Sequence, residues 1–139
     1  MQTFISLTEQ DTITVAERLA RQVKVGDVIA LYGTLGMGKT VFCRGFVRTF
    51  MPLQEVPSPT FTLLQVYETP SFPIYHFDMY RLKTPDEAYE IGIEDAFAEG
   101  VSLIEWPEKI GPLLPKKYIS VRLEADGDKR LICIEGIEI

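Results

Sequence analysis

Three glycines, a lysine and two threonines occupy one short stretch, residues 33–40, with the sequence GTLGMGKT. Every fixed position of the pattern GxxxxGKS/T is filled. Glycines let the backbone turn so that successive amide N–H groups point at the oxygens of a phosphate. The apolar run 28–32 before this glycine loop predicts a buried strand, and residues 39–50 after it predict a helix whose N-terminus adds partial positive charge. The sequence therefore predicts a loop that binds the phosphates of a nucleotide.

The side chains of the glycine loop have separate roles in this prediction. Lys39 neutralises the β- and γ-phosphates, and Thr40 offers its hydroxyl to Mg²⁺. The guanine-reading motif of GTPases, Asn or Thr followed by Lys-x-Asp, is absent from the sequence, so the expected cofactors are ATP and Mg²⁺. The residues expected to contact the nucleotide are Gly33, Thr34, Leu35, Gly36, Met37, Gly38, Lys39, Thr40 and Val41.

A nucleotide-hydrolysing site also needs a carboxylate at the end of a neighbouring strand. The mostly apolar segment 101–105 ends in Glu105, and the segment 74–78 ends in Asp78. We expect Glu105 to bind Mg²⁺ or one of its waters, and Asp78 to support that site or to orient the attacking water. His76 shares a strand face with Asp78. It is expected to be hydrogen bonded beside the site, and a role as a base is the alternative.

Three further residues are candidates for this site. The stretch 57–61, with the sequence PSPTF, holds two prolines that rigidify a loop, and a threonine in such a place can contact Mg²⁺ or the γ-phosphate in nucleotide switches. Thr60 is the expected contact, with a structural proline turn as the alternative. Arg81 can pair with an acid or reach a phosphate. Trp106, the only tryptophan, is expected to pack near the nucleotide or on a contact surface, or else to be a core or rim aromatic.

The chain as a whole is acidic. It has 139 residues, a net charge of −6 and a hydrophobic fraction of 46%, which is typical of one globular domain. The negative charge argues against a free-standing nucleic-acid binder, because such domains usually carry a basic stripe. Cys43 and Cys133 form no CxxC pair and are expected to be reduced core residues of a cytoplasmic protein. We expect no leader peptide and no membrane span.

Hydrophobic periodicity predicts the elements that position these residues. The segments expected to be strands are 4–7, 28–32, 62–67, 74–77, 101–105, 118–124 and 130–134, and those expected to be helices are 9–23 and 39–50. An acidic helical stretch over 84–99 is expected to break near Gly92, and 107–115 to be a turn or short helix. The expected fold class is α/β: a P-loop NTPase fold with a central, mostly parallel sheet flanked by helices, and added antiparallel strands, in a single domain over residues 1–139.

Three classes of activity fit a nucleotide loop in a chain of this size. Small-molecule kinases usually need a substrate-binding insert and an arginine-bearing lid, and the sequence has no arginine cluster. Hydrolysis of ATP coupled to the state of a partner protein fits better. A nucleotide-dependent interaction module with negligible turnover is the third class.

Four segments together resemble one protein family. They are GxLGxGKT at 33–40, SPTF at 58–61, HFDxYRL at 76–82 and EWPE at 105–108. With the acidic stretch 90–95, they are similar to the TsaE (YjeE) family of small bacterial ATPases over nearly the whole chain. Thr34 and Met37 stand where Asp and Ala are common in the family, at variable positions of the loop.

The resemblance implies a role in tRNA modification. The family supports formation of threonylcarbamoyladenosine at position 37 of ANN-decoding tRNAs. The implied partners are TsaD and TsaB, which transfer the threonylcarbamoyl group from an adenylate made by TsaC, and ATP hydrolysis resets that pair between turnovers. The tRNA is then contacted only indirectly, through the partners. By the same resemblance Lys39 and Thr40 bind phosphate and Mg²⁺, Thr60 is switch-like, Asp78 and Glu105 are the acidic partners, and Trp106 lies near the nucleotide.

Overall fold

Strands and helices alternate along the chain in this computed structural model, which describes residues 1–34, 36–57 and 63–139. The strands of the described part are β1 (Gln2–Ser6), β2 (Val28–Tyr32), β3 (Leu64–Glu68), β4 (Pro73–Asp78), β5 (Val101–Glu105), β6 (Ile119–Asp126) and β7 (Lys129–Glu135). The helices are α1 (Glu9–Ala20), α2 (Lys39–Phe50), α3 (Glu87–Glu90) and α4 (Ile93–Glu99), with a 3₁₀ helix at Pro107–Leu113.

The strands form one seven-stranded sheet in the order β1-β7-β6-β2-β5-β4-β3. The central strands β6, β2, β5 and β4 are parallel. Strand β7 pairs antiparallel with β6, and β3 pairs antiparallel with β4. Strand β1 pairs antiparallel with β7, so β1 runs in the same direction as the four central strands. The expected α/β class, with a mostly parallel sheet, flanking helices and added antiparallel strands, is confirmed.

This topology places the predicted site at the carboxyl ends of the central parallel strands. Ligands of open α/β sheets bind outside the carboxyl ends of the parallel strands. The glycine loop follows the carboxyl end of β2, while Asp78 and Glu105 are the last residues of β4 and β5. Because β2 pairs with β5 and β5 pairs with β4, the loop and both carboxylates lie on neighbouring strands.

Helices α1 and α2 pack together on one face of the sheet. A capping box begins α1: the Thr8 hydroxyl accepts from the Asp11 N–H, and the Asp11 carboxylate accepts from the Thr8 N–H. In α2, a Cβ added to Gly45 would lie 3.0 Å from the Ile13 Cα, so this glycine permits the close approach of the two helices. Their apolar faces bury Leu19, Phe42 and Phe46 against the sheet, which fixes the direction of α2 behind the glycine loop.

The opposite face is covered by α3, α4 and the 3₁₀ helix. Buried residues of these elements, among them Ile93, Ala96 and Ile110, pack against Phe77 and Ile104 of the sheet. The predicted break in the acidic stretch is confirmed, since Gly92 separates α3 from α4 in a left-handed conformation.

Most predicted elements are confirmed, with shifted ends. The first helix ends at Ala20 instead of residue 23, because the chain turns there and the Gln22 N–H bonds to the Leu19 carbonyl. The first strand covers Gln2–Ser6 instead of 4–7.

Cys43 is buried, as expected, but the prediction of a core position for Cys133 is wrong: on β7 it is only partly buried. No helix in the described ranges is long and apolar enough to cross a membrane. The expectation of a single domain over residues 1–139 stays a prediction.

Candidate functional site

The glycine loop forms a cradle in front of α2. Gly33 has φ +149°, and a Cβ there would lie 2.9 Å from the Leu123 carbonyl oxygen of β6. Gly38 is the N-cap of α2 with φ 97°, and its carbonyl accepts from the Phe42 N–H at 2.9 Å. Among the described residues, no side chain caps this helix N-terminus. The first amide N–H groups of α2 are therefore available to an anion, and the helix dipole favours one.

Lys39 is a buried cation at the start of this helix. Its side chain is 6% exposed, and its Nζ has no hydrogen-bond partner among the described residues. The Nζ lies 4.1 Å from the centroid of the Trp106 ring. Burial lowers the pKa of the Lys39 amine, against the opposing attraction of Glu105, Glu108 and Asp78. Buried charges are normally paired. The Lys39 amine can therefore accommodate an anion as a direct hydrogen-bond partner.

Trp106 is held in an unusual backbone conformation next to this lysine. It has φ 58° and ψ 51°, in the left-handed region, which is rare and strained for a bulky residue. Its ring packs against the Tyr80 ring with centroids 4.9 Å apart. The conformation turns the chain from β5 into Pro107 and directs the indole to Lys39. Trp106 is thus partly buried and lies beside Lys39, and its expected position near the nucleotide stays a prediction.

Glu105 and His76 form a buried pair behind Lys39. The His76 Nε2 lies 2.7 Å from the Glu105 Oε2, and the two residues are 0% and 4% exposed. The His76 Nδ1 has no partner in the described part of the chain. The expectation that His76 is hydrogen bonded beside the site is confirmed, and its partner is the carboxylate that the sequence assigned to Mg²⁺.

Asp78 is the direct neighbour of Glu105 across the β4–β5 ladder. It is 4% exposed, and its Oδ1 accepts from the Tyr80 N–H at 2.9 Å. This bond fixes one carboxylate oxygen on the turn that follows β4. Two carboxylates thus end adjacent strands, with the cation of Lys39 close enough for both to act on its pKa.

Cys43 is a further member of this group that the sequence analysis placed only in the core. It is fully buried on α2, one turn after Lys39. Burial raises the pKa of the Cys43 thiol well above its usual range. One donor atom each from Cys43, His76 and Glu105 lies within 4.8 Å of the others. The spacing of Lys39 and Cys43 could have indicated this position, because residues four apart on a helix share a face.

A cavity of about 340 Å³ opens beside the glycine loop, a size common for small-molecule pockets. Gly36, Met37, Gly38 and Val41 form its wall at the loop. The other walls come from distant segments, the start of α1 and the β6–β7 hairpin. Its lining residues there include Thr8, Thr12, Asp128 and Arg130. No local pattern marks these residues, since only the pairing of β1 with β7 and of β7 with β6 brings them to the loop.

Most of the predicted site residues are brought together by the fold. Thr40 is partly buried in the first turn of α2 and Thr34 is exposed in the loop. Leu35 and Thr60 lie outside the described residues, so their predicted contacts stay predictions. Arg81 is exposed just after β4 and has interactions of its own, which leaves both of its proposed roles as predictions.

Comparison with known proteins gives one consistent family. Residues 6–132 match the family described as "Threonylcarbamoyl adenosine biosynthesis protein TsaE". The tRNA threonylcarbamoyladenosine biosynthesis protein TsaE of Rickettsia bellii is 47% identical over 126 residues, covering 89% of this chain and 88% of that protein. The protein of the same name from Bacillus subtilis is 36% identical over 124 residues, covering 88% of this chain and 77% of its own.

A solved structure agrees with these sequences. The crystal structure of YdiB from Bacillus subtilis superposes with a TM-score of 0.80 at 31% identity, covering 94% of this chain and 82% of YdiB. The matched family spans the glycine loop and the ends of β4 and β5. On this fold, this site and these matches, the chain belongs to the TsaE family, whose members act in tRNA threonylcarbamoyladenosine biosynthesis.

Proposed function

We propose that this chain binds ATP with Mg²⁺ in the glycine loop and hydrolyses it. The observation that carries the proposal is the buried Lys39 amine, which has no hydrogen-bond partner among the described residues and stands at an uncapped helix N-terminus. An anion that approaches these amides gives the lysine the partner it lacks.

The donor groups at the loop fit Mg²⁺ as well as phosphate. Mg²⁺ prefers oxygen ligands and keeps several waters. The Thr40 hydroxyl and the Glu105 carboxylate are the oxygens that would hold it, and when bound it neutralises charge on the phosphate oxygens. His76 fixes one Glu105 oxygen through the 2.7 Å contact, which leaves the other oxygen for the ion or its water. The Asp78 Oδ1 accepts from the Tyr80 N–H, and in this proposal Asp78 orients a water.

The cavity beside the loop suits the nucleoside part of the ligand. It adjoins the loop at Gly36 and Gly38 and extends past Val41, so a nucleotide with its phosphates on the α2 N-terminus has room for its base there. Thr12 and Arg130 offer polar groups to the base or ribose. This arrangement adds Thr8, Thr12, Asp128 and Arg130 to the residues that the sequence assigned to the nucleotide.

The family membership supports a role for this hydrolysis in threonylcarbamoyladenosine formation on tRNA. We propose that the partners are TsaD and TsaB, that ATP hydrolysis drives or resets this pair, and that the chain works in the cytoplasm. The net charge of −6 favours contact with tRNA only through these partners, because phosphate backbones repel an acidic surface.

The test is phosphate release from ATP by the full chain, alone and with a TsaD–TsaB pair. We expect slow release that the pair accelerates, and a loss of about 100-fold in Glu105→Gln because the carboxylate charge at Mg²⁺ is removed. Glu135→Gln, at an exposed acid that ends β7, is the matched control and should change the rate little. Transfer of phosphate to a small acceptor would favour a kinase instead. Binding without any turnover in the complex would favour an interaction module.

A further inference from the structure

The buried group behind the loop has the donor atoms of a metal site. Cys43, His76 and Glu105 contribute sulfur, nitrogen and oxygen donors that lie within 4.8 Å of one another. Cys43 and His76 are 0% exposed, and Glu105 is 4% exposed. We propose that these three side chains bind a transition-metal dication of the Zn²⁺ class, at a site that overlaps the proposed Mg²⁺ site through Glu105.

The donor set selects the class of ion. Thiolate, imidazole and carboxylate are the ligands that Zn²⁺ takes in proteins, and Co²⁺ accepts the same set. Mg²⁺ takes oxygen ligands and has little affinity for sulfur. Three protein ligands leave the fourth tetrahedral position open, as in Zn²⁺ sites that exchange water. Cys43 therefore separates this site chemically from the one proposed for Mg²⁺.

Small movements convert the present geometry into a metal site. The 2.7 Å between the His76 Nε2 and the Glu105 Oε2 is a hydrogen-bond distance, whereas two such ligands around a tetrahedral ion lie about 3.3 Å apart. The ion takes the place of the proton between these two groups, and the ring proton of a neutral His76 then lies on Nδ1. The Cys43 thiol loses its proton to solvent on binding, because the thiolate is the ligand.

Charge is balanced once an ion is bound in this position. The Cys43 thiolate formed on binding and the Glu105 carboxylate then carry two negative charges in a buried place, and the dication compensates both. Buried charges are tolerated when they are paired or coordinate a metal. We expect the ion to enter from the nucleotide side, because Glu105 is the last residue of β5.

The site has a consequence for the proposed activity. Glu105 cannot coordinate both ions at once with the same geometry. An ion bound by Cys43, His76 and Glu105 should therefore inhibit Mg²⁺-dependent hydrolysis. Only this consequence rests on the proposed function. The site itself rests on the three side chains and can be measured without nucleotide.

The probe is Co²⁺, whose thiolate complexes show a charge-transfer band in the near ultraviolet. The full, reduced chain is titrated with Co²⁺ in the absence of nucleotide and with excess Mg²⁺ present. We expect the band to saturate at about one equivalent, and one equivalent of Zn²⁺ to remove it, since Zn²⁺ binds such donors at least as well as Co²⁺.

The two cysteines supply a matched control. Cys43→Ser and Cys43→Ala should lose the band and bind Co²⁺ at least tenfold more weakly. Cys133→Ser, on strand β7 between β1 and β6, should keep both the band and the affinity. Circular dichroism melts establish that each variant is folded under the titration conditions, and the alanine variant avoids a buried hydroxyl. A wild-type titration without the band, or a band that survives in folded Cys43→Ala, overturns the proposal and leaves the ATPase proposal untouched.

Discussion

The ammonium group of Lys39 lies 4.1 Å from the centre of the Trp106 ring and bonds to no other described residue. An aromatic face attracts a cation by about 0.5–2 kcal/mol, less than a phosphate that also forms charge-assisted hydrogen bonds. If the chain binds a nucleotide as proposed, the phosphates should therefore replace the Trp106 ring as the partner of Lys39.

Replacing the lysine should separate binding from stability. Lys39→Met keeps an apolar stem under Trp106 and removes a buried charge, so the free energy of unfolding without nucleotide should change by no more than about 1 kcal/mol. The same change should weaken ATP binding at least tenfold, because the phosphates lose their cation. Denaturant unfolding and calorimetric titration measure the two effects. A loss of several kcal/mol in stability would mean that Lys39 has a structural role instead.

The burial of the Lys39 ammonium should also make the stability of the fold depend on pH. Burial lowers the pKa of Lys39 in the folded chain below its ordinary value, so between the two pKa values the unfolded chain binds more protons. Stability then rises with pH in that window. We expect wild type to gain stability relative to Lys39→Met as pH rises from neutral toward the ordinary lysine pKa. A difference that is independent of pH, or that falls, would contradict the burial of an unpaired ammonium.

His76 should act through Glu105. His76→Phe removes the donor that fixes the carboxylate, whereas His76→Gln retains an N–H. We expect the Mg²⁺ concentration for half-maximal hydrolysis to rise about tenfold in His76→Phe, and by less in His76→Gln. The measurement is phosphate release against Mg²⁺ at saturating ATP. Equal Mg²⁺ dependence in wild type and both variants would show that the contact does not orient the carboxylate.

Filling the cavity should affect the base end of the ligand only. Val41 lines the cavity on α2, so Val41→Phe puts a ring into the space proposed for the nucleoside. ATP and ADP should bind at least tenfold more weakly, while inorganic tripolyphosphate should bind as in wild type, since it needs only the loop and Lys39. Calorimetry with the three ligands makes the comparison. Parallel loss of all three would place the nucleoside elsewhere or indicate a distorted loop.

Helix packing behind the loop should be sensitive at Gly45. Its added Cβ would lie 3.0 Å from the Ile13 Cα and 3.2 Å from the Ile13 carbonyl oxygen, both backbone atoms that can move only with α1. Gly45→Ala should therefore reduce the free energy of unfolding by about 1–3 kcal/mol. Gly111→Ala, where a Cβ meets nothing within 4 Å, should cost less than about 0.5 kcal/mol. Equal effects of the two changes would argue against close contact of α1 and α2.

Local patterns predicted much of the site because its chemistry is local in sequence. The glycine loop and the acids at the ends of β4 and β5 follow from residue type and strand position alone. The cavity required the pairing of β1 with β7, and the Cys43 contacts required the placement of α2 over β4 and β5. Neither the strand pairing nor the helix placement can be predicted from a short segment of sequence.

The backbone of Trp106 is a different case, because a residue before proline usually adopts an extended conformation. Trp106 precedes Pro107 yet has φ 58°. Tertiary packing against Lys39 and Tyr80 overrides the local preference. Such exceptions are typical of functional sites, where strain is compensated by the surrounding structure.

The most direct test of the central claim is the fluorescence of Trp106, the only tryptophan, titrated with ATP, ADP and GTP in the presence of Mg²⁺. We predict a saturable change with the adenine nucleotides, a weaker change with GTP, and none in Lys39→Met over the same concentrations, because the lysine leaves the indole for the phosphates. If the emission does not change and calorimetry also detects no adenine nucleotide binding, the glycine loop is not an ATP site in this chain.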